Sequence, residues 1–401
     1  MTRDRAETPQ TRFAPGRGAR LLLVTLPTML FAATLWGIGE IVVRYHERHR
    51  ATVPGTMPSL YYRQIPLGHA LVHDYDYFGW VHTNAQGFRG SRRVTPDKPP
   101  ATTRIIAVGG STTFDTEVSA DSAAWPARLE RLLNDLLPGQ AVEVINAGVA
   151  GYGMQHDLLR LETELYAYHP DLIILYQGHN DLDHELRHAT GVDDALDPQR
   201  PDEVPTVTPW IRWLEGHSLL YVKLRERYLA IRFARRASRA NQKPSIATAS
   251  LIEPGAQNFE RRVRNYLAVA RALDIPVVVP EVVQVSGGAT HDTDPERVAR
   301  WRHAMPFAPT DTVLAGYARY NAVLKSVTNA YGVPFIPMVE SGIAGANYYS
   351  FNDPIHFNDR GADRFARALA AQLIQRHLIP PEALGVTGVS RDTRSDLAAR
   401  P

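Results

Sequence analysis

Two short blocks, far apart along the chain, hold the residue types of a serine nucleophile and its base. Residues 109–111 read Gly-Gly-Ser at the end of an apolar run, and residues 353–356 read Asp-Pro-Ile-His. A serine hydroxyl is a weak nucleophile until a neutral imidazole takes its proton and a carboxylate holds that imidazole in the useful tautomer. Ser111, His356 and Asp353 could fill these three roles. Gly-Gly-Ser by itself is more typical of a helix N-cap, so the hypothesis depends on the downstream pair.

Two further blocks, between the first pair, supply candidate donors for an oxyanion hole. Residues 148–151 read Gly-Val-Ala-Gly and residues 178–181 read Gly-His-Asn-Asp. Negative charge that develops on an acyl oxygen is best met by preorganised donors, each worth roughly 3 kcal/mol. The candidates are the backbone N–H groups of Ser111 and Gly151 and the side-chain amide of Asn180. Taken singly, such a glycine is typical of a turn and such an asparagine of a loop cap.

The elements that must position these blocks are strands, because each of the first three blocks follows a short apolar run. These runs cover residues 104–108, 142–146 and 171–176, and two more cover 275–279 and 333–337. Helical patterns lie between and after them, at about 125–137, 154–168, 259–273, 315–331 and 362–378. Alternating strands and helices predict a parallel sheet, whose strands all end at the same edge. The four blocks are therefore expected to converge there.

The ordered blocks resemble those of the SGNH hydrolases, also called GDSL-like esterases and lipases. The resemblance covers residues 101–380 and rests on one residue of each block plus the third triad member: Ser111, Gly151, Asn180, His356 and Asp353. It implies a three-layer α/β/α, flavodoxin-like fold with a parallel sheet of about five strands. It also implies hydrolysis of esters or transfer of acyl groups, and we expect neither a cofactor nor a metal.

Neighbouring residues of the blocks are expected to support the site. These supporting residues are Gly110, Gly178 and Asp181. Gly110 stands where the commonest family pattern has Asp, which is a departure from the resemblance. Gly148 competes with Gly151 for the second block, and Gly151 is preferred because its spacing from Asn146 resembles that of the family.

The N-terminal segment predicts a membrane helix. Residues 21–39 carry no charge, and with the apolar residues up to 43 the stretch reaches the roughly 20 residues that cross a bilayer core. A cleaved signal peptide is the main alternative, but its apolar core is shorter, about 7 to 15 residues. Five arginines precede the stretch and three follow it closely, which favours an N-terminus inside the cell. The catalytic domain is then expected on the periplasmic side of the inner membrane.

The predicted organisation has five parts. These are a cytoplasmic tail (1–20), a transmembrane anchor (21–43), an extracytoplasmic linker or extension (44–100), the hydrolase domain (101–380) and a C-terminal tail (381–401). An insertion at about 183–257 interrupts the hydrolase domain. It contains a basic amphipathic pattern at 219–239, which could lie on an anionic membrane, cover the serine as a lid, or pack as an ordinary surface helix.

The insertion opens with a sequence that favours a different chemistry. Residues 184–188 read His-Glu-Leu-Arg-His and satisfy the HExxH pattern of zinc proteases, in which two histidines bind the metal and the glutamate activates water. Arg187 puts a charge inside the pattern, and Gly191 with the following proline-rich stretch shortens the helix. The nearest candidates for a third ligand are Glu203 and His217, neither of them well placed. A zinc metalloprotease is therefore kept only as an unfavoured alternative.

Composition limits the remaining possibilities. The absence of cysteine excludes disulfides, zinc-thiolate sites and cysteine nucleophiles, and a net charge of +2 argues against a dedicated nucleic-acid binder. We expect a serine esterase that removes O-acyl groups, above all O-acetyl, from a cell-envelope or exported polysaccharide or another ester. An O-acetyltransferase with the same triad is the alternative, and enzymes of polysaccharide biosynthesis are the expected protein partners.

Overall fold

The computed structural model describes residues 17–48, 60–64, 66–189, 209–225, 227, 228, 231, 248–343 and 348–379. Parts of several sequence predictions lie outside these residues. They are both tails apart from residues 17–20, residues 49–59 of the extension, residues 190–208 of the insertion with Gly191 and Glu203, and residues 226, 229, 230 and 232–239 of the basic pattern.

A parallel sheet of five strands forms the centre of the molecule, in the spatial order β6-β5-β7-β8-β9. The strands are β5 (Thr102–Gly109), β6 (Ala141–Asn146), β7 (Leu172–Tyr176), β8 (Val277–Pro280) and β9 (Phe335–Ile336). Every residue of β7 is buried, as expected for a strand covered on both faces. The predicted strands and their parallel arrangement are thereby confirmed.

Helices cover the two faces of the sheet and give a three-layer α/β/α fold. One layer holds α3 (Trp125–Leu136) and α11 (Asp359–Gln375), which pack on each other. The other layer is built around α8 (Thr248–Ala272), which packs on three helices: α4 (Met154–Thr163), α5 (His179–Ala189) and α10 (Thr310–Tyr331). A single buried apolar cluster joins both layers to the sheet.

Four helices differ from their predicted bounds. The helix predicted at 315–331 begins at Thr310, and the helix predicted at 362–378 runs over Asp359–Gln375. The helix predicted at 154–168 ends at Thr163 and continues as a 3-10 turn over Leu165–Tyr168. The helix predicted at 259–273 begins earlier, at Thr248, and includes Pro254. Proline normally marks a helix boundary, but tertiary contacts override that preference here: Leu251 is buried, and Glu253 forms an ion pair with Arg319 at 2.9 Å.

The extension before the hydrolase domain forms two antiparallel hairpins. These are β1 (Tyr61–Gln64) with β2 (Gly68–Leu71), and β3 (Tyr75–Tyr77) with β4 (Val81–Thr83). A turn follows, in which the side chain of Asn84 accepts the N–H groups of Gln86 and Phe88. Arg89 then forms a bridge with Asn146 at the end of β6. Since Phe88 and Val94 belong to the main apolar cluster, the extension is packed into the hydrolase fold.

Five more α-helices complete the described chain, and one of them, α9 (Pro295–Ala304), lies between β8 and α10. The N-terminal helix α1 (Arg17–Arg48) contains a stretch, Thr25–His46, that is long and apolar enough to cross a membrane and is not buried in the protein. The insertion contains α6 (Pro209–His217) and a helix that we label α7, with helical residues at 219–225, 227, 228 and 231. A four-residue helix, α2 (Ser111–Phe114), follows β5 directly.

Candidate active site

The strand β5 delivers Ser111 to the carboxyl edge of the sheet. Gly109 has a positive φ of 155°, and a side chain there would overlap the carbonyl oxygen of Tyr176 in the neighbouring strand. Glycine is thus required for the chain to leave β5 and start α2 at once. Ser111 is the first residue of α2 and only 9% exposed.

The loop before α11 brings His356 and Asp353 next to Ser111. The Nε2 atom of His356 lies 2.8 Å from Oγ of Ser111, and its Nδ1 atom lies 2.6 Å from Oδ2 of Asp353. The other carboxylate oxygen of Asp353 accepts the backbone N–H groups of Ile355 and His356 at 2.8 and 2.7 Å. Nδ1–H therefore donates to the carboxylate, and Nε2 is free to accept the serine proton. The three residues predicted from two distant blocks are brought together.

The charges around His356 favour the protonated form of its imidazole over the neutral form. Burial would lower the pKa of His356, but the charge and hydrogen bond of Asp353 outweigh burial and raise it to about 9. Burial would likewise raise the pKa of Asp353, and the nearby His356 with its hydrogen bonds lowers it instead. An imidazolium that forms when Ser111 loses its proton is thus stabilised in place.

Asn180, near the start of α5, faces the serine turn. Its Nδ2 donates to the carbonyl oxygen of Tyr152 at 2.8 Å, which leaves the second N–H of that amide for an oxyanion. A side chain on Gly110 would overlap this Nδ2 atom. In this chain the space beside Ser111 is occupied by the amide of Asn180, and glycine is the residue that fits there.

The two candidate glycines of the second block have different surroundings. Gly151 is at the third position of a turn closed by a hydrogen bond from Tyr152 N to Val149 O at 3.1 Å. Its φ of 85°, next to Ala150, which is not among the positive-φ residues, fits a type II turn. Gly148 instead packs on α2, where a side chain would overlap the backbone of Phe114.

The supporting residues connect the site to the helices beneath it. Oδ2 of Asp181 accepts the backbone N–H of Met154 at 2.9 Å, and its Oδ1 lies 3.1 Å from Arg262 of α8. Gly178 has a φ of 147° and lies against Val282. Together they fix the start of α5, which carries Asn180.

Several residues around the site were not predicted from the sequence. Arg89 donates from Nη1 to the carbonyl oxygens of Phe114 and Asp115, both at 2.6 Å, and so holds the end of α2. Asp115 adopts a positive φ of 68° there, and burial raises the pKa of its carboxyl to about 7. From β2, Nε2 of His69 contacts the carbonyl oxygen of Ala150 at 2.8 Å. Arginine and histidine in a hairpin-rich extension give no pattern that would reveal these contacts.

The HExxH residues are not arranged as a metal site in the described part of the chain. Their two histidines, His184 and His188, are exposed, while Glu185 points to Arg262 at 3.6 Å. Among the described residues, which include His217 but not Glu203, there is no cluster of three or more His, Cys, Asp or Glu that could hold a metal ion.

Sheet, helices and site together define a serine hydrolase that acts on ester bonds. The chain belongs to the GDSL-like lipase/acylhydrolase family, whose model matches residues 107–364. No curated protein sequence matches it.

Several solved structures are similar to this chain at low sequence identity. The acetyl xylan esterase AlAXEase is 14% identical over 67% of this chain and 99% of its own, with a TM-score of 0.41. A GDSL-like lipase from Bacteroides thetaiotaomicron is 13% identical over 69% of this chain and 89% of its own, with a TM-score of 0.37. A variant of an acetyl xylan esterase from Geobacillus stearothermophilus is 14% identical over 68% of this chain and 94% of its own, with a TM-score of 0.41.

Proposed function

We propose that this protein is a membrane-anchored SGNH-type serine esterase that removes O-acyl groups, above all O-acetyl, from a cell-envelope or exported polysaccharide or another ester. The observation that carries the proposal is the continuous chain of short contacts from Asp353 through His356 to Ser111. Surface serine, histidine and aspartate side chains rarely meet in this order, and the order is the one that proton transfer from a nucleophile requires.

The reaction follows from the positions of these atoms. Oγ of Ser111 attacks the acyl carbonyl carbon while Nε2 of His356 takes its proton, and the carbonyl oxygen becomes an oxyanion. Donors for that oxyanion are the backbone N–H groups of Ser111 and Gly151 and the side-chain amide of Asn180. The tetrahedral intermediate then expels the alcohol, which receives the proton from His356, and leaves an acyl-serine. Water activated by the same histidine hydrolyses the acyl-serine and regenerates Ser111.

The surroundings of the serine support a short acyl group. The neighbours that contact Ser111 and Gly110 are polar side chains or backbone: His356, Asn180 and the carbonyl of Tyr152. A short acyl group needs no apolar tunnel, whereas a fatty acyl chain must be buried along its length.

The anchor and its orientation are part of the proposal. Residues 21–43 would cross the inner membrane once, because an uncharged stretch of this length is most stable in hydrocarbon. The excess of arginine before the stretch would keep the N-terminus inside, so that the hydrolase domain faces the periplasm.

The experiment that tests the function measures acetate release from acetylated xylan and from p-nitrophenyl acetate by the full-length protein in detergent. Ser111→Ala and His356→Ala should each remove nearly all turnover, and both variants should keep the wild-type melting temperature. Full activity of Ser111→Ala would refute the mechanism. Repeating the assay with a deacetylated glycan distinguishes the alternative, since an O-acetyltransferase would move acetyl groups to that acceptor.

A further inference from the structure

The insertion exposes an unusual set of large apolar side chains on α6 and α7. Trp210 and Trp213 are one turn apart on α6, and three residues of α7 follow each other at helical spacing, so each set shares one side of its helix. We call these five residues the apolar ridge: Trp210, Trp213, Leu224, Tyr228 and Ile231. Their exposed fractions lie between 47% and 62%. Burying such side chains is worth about 1.5–3 kcal/mol each, so the ridge is suited to a partner.

The anchor helix α1 is joined to the junction between α6 and α7. The carboxylate of Glu40 accepts the backbone N–H groups of Leu219 and Leu220, at 2.8 and 3.0 Å, and the hydroxyl of Ser218 at 2.9 Å. It thereby satisfies the free donors at the start of α7. Two more residues of α1 reach the same junction. Nε1 of Trp36 donates to Oγ of Ser218 at 3.2 Å, and Arg44 donates to the carbonyl oxygen of His217 at 2.9 Å.

The length of the anchor sets the depth of this junction. The uncharged stretch from residue 21 to residue 39 has 19 residues, and at about 1.5 Å per residue it spans about 28 Å. The hydrocarbon core of a bilayer is about 30 Å thick. Glu40, the next residue, therefore stands where hydrocarbon gives way to head groups. The junction of α6 and α7 stands at the same level.

We propose that the apolar ridge rests in the head-group region of the same bilayer that holds the anchor. Tryptophan and tyrosine are the aromatic residues that favour this region, because their rings have an apolar body and a polar edge. Lys223 and Arg227 lie on α7 among the ridge residues and suit anionic head groups. The proposal rests on the membrane anchor of the proposed function. It implies that the hydrolase domain is held at two points and keeps one orientation above the membrane.

Single cysteines test this placement directly, because the natural chain contains none. We would prepare the full-length variants Trp210→Cys, Leu224→Cys, Phe31→Cys in the anchor and Leu136→Cys on α3. Leu136 is 56% exposed and serves as the matched control. Each protein is labelled with an environment-sensitive fluorophore and reconstituted into vesicles of phosphatidylethanolamine and phosphatidylglycerol, with and without brominated lipids as short-range quenchers.

Bromine should quench the labels at positions 31, 210 and 224 at least twofold and leave the label at 136 unchanged. Adding Glu40→Ala should reduce quenching at 210 and 224 and leave 31 quenched. If 31 is quenched while 210 and 224 behave like 136, the ridge proposal is wrong and the anchor remains. Labels at 210 and 224 that are shielded from water but not quenched would indicate a protein partner or a second copy, which also refutes it. Without quenching at 31, the anchor proposal fails and the ridge proposal with it.

A second, independent observation concerns His69 in the extension. Its Nε2 atom lies 2.8 Å from the carbonyl oxygen of Ala150, and since a carbonyl only accepts, this nitrogen carries the proton. The hydroxyl of Tyr152 donates to the backbone carbonyl of His69, so the contact is held from both sides. His69 also packs edge-on against the rings of Tyr61 and Tyr152.

The contact decides which way one peptide group faces. The carbonyl of Ala150 and the N–H of Gly151 belong to the same planar trans peptide and point in opposite directions. A hydrogen bond that holds the carbonyl on the His69 side therefore holds the N–H of Gly151 away from His69. The turn adjoins the serine loop, because the carbonyl of Tyr152, the last residue of the turn, accepts from Asn180 and lies beside Gly110.

We infer that His69 is a positioning residue for the oxyanion hole, which acts through the peptide of Gly151. This rests on the proposed role of Gly151 as a donor. Without His69 the peptide between Ala150 and Gly151 can rotate. The oxyanion of the tetrahedral intermediate then loses a preorganised hydrogen-bond donor. Loss of one such donor lowers kcat by roughly 10²–10³. Since the donor is only misaligned here, we expect a decrease of about tenfold to a hundredfold.

The test compares two variants of the full-length enzyme on p-nitrophenyl acetate. His69→Phe keeps the ring contacts but has no N–H, whereas His69→Gln can still donate to the Ala150 carbonyl. We expect kcat of His69→Phe to fall tenfold to a hundredfold with KM within a factor of two, and His69→Gln to recover most of the loss. An unchanged kcat in His69→Phe, or an equal loss in both variants, would show that His69 has no positioning role. If Ser111→Ala were active, the proposed function itself would fail.

Discussion

Asp353→Asn separates the charge of the triad carboxylate from its shape. In the wild type, burial lowers the pKa of His356 and the carboxylate more than compensates, which brings the pKa from the ordinary 6.5 to about 9. One pH unit corresponds to about 1.4 kcal/mol, so the imidazolium is stabilised by roughly 3 kcal/mol. The side chain of Asp353 is 42% exposed, and solvent screens part of that charge. We therefore assign about 2 kcal/mol to the interaction.

This energy predicts both a rate and a pH profile. The imidazolium forms in the transition state, so a loss of about 2 kcal/mol lowers kcat/KM by about 30-fold at high pH, where His356 of the free enzyme is neutral. The decrease becomes larger, up to about 10⁴-fold, if the new amide donates to Nδ1 and imposes the wrong tautomer. The base must be neutral to act, so kcat/KM of the wild type should rise with pH through the pKa of His356, near 9. In Asp353→Asn only burial and weaker charges act on the pKa of His356. The rise in kcat/KM should therefore move to a pH near or below 6.5.

The assay follows acetate release from an acetylated oligosaccharide between pH 5 and pH 10, with blank rates subtracted. Asp363→Asn is the matched control, because Asp363 is a carboxylate on α11 that pairs with Arg128 and Arg367 and does not contact His356. That variant should keep the wild-type profile. The reasoning is refuted if Asp353→Asn loses less than fivefold in the high-pH plateau of kcat/KM and its profile stays where that of the wild type is.

Three further outcomes follow from the site. Asn180→Ala should lower kcat by roughly 10²–10³ with a small change in KM, because one oxyanion donor is lost. Steady-state kinetics would measure both constants. An unchanged kcat would show that Asn180 is not a donor of the oxyanion hole. Gly110→Asp should lower activity on every ester tested, because its side chain would displace Asn180, and wild-type rates would contradict the steric explanation. A sulfonyl fluoride should modify Ser111, and mass spectrometry of peptides would locate the modified residue. His356→Ala should slow this modification at least tenfold, because the base that activates Ser111 is missing. Equal rates of labelling in the two proteins would argue against proton transfer from Ser111 to His356.

The sheet and the triad could be predicted because their signals are local and repeated. Each of the first three apolar runs is followed by a glycine-rich or polar block, and parallel strands bring such blocks to one edge. The start of α8 could not be predicted in this way, because Pro254 and Gly255 argue against a helix until the contacts of Leu251 and Glu253 are known. Arg89 and His69 were missed for a related reason. Their role depends on carbonyl groups of Phe114 and Ala150, and no backbone carbonyl is visible in a sequence pattern.

The sequence separation of the triad has a consequence for how the enzyme matures. Asp353 and His356 are three residues apart, so the acid-base pair can form as soon as its own loop folds. Ser111 and His356 are 245 residues apart, and closing a loop of that length costs roughly 5 kcal/mol of chain entropy. The nucleophile thus leaves the ribosome long before its base and has no partner until α11 docks beside α3. A nascent or truncated chain that lacks the last helix would carry the serine and yet be unable to attack an ester.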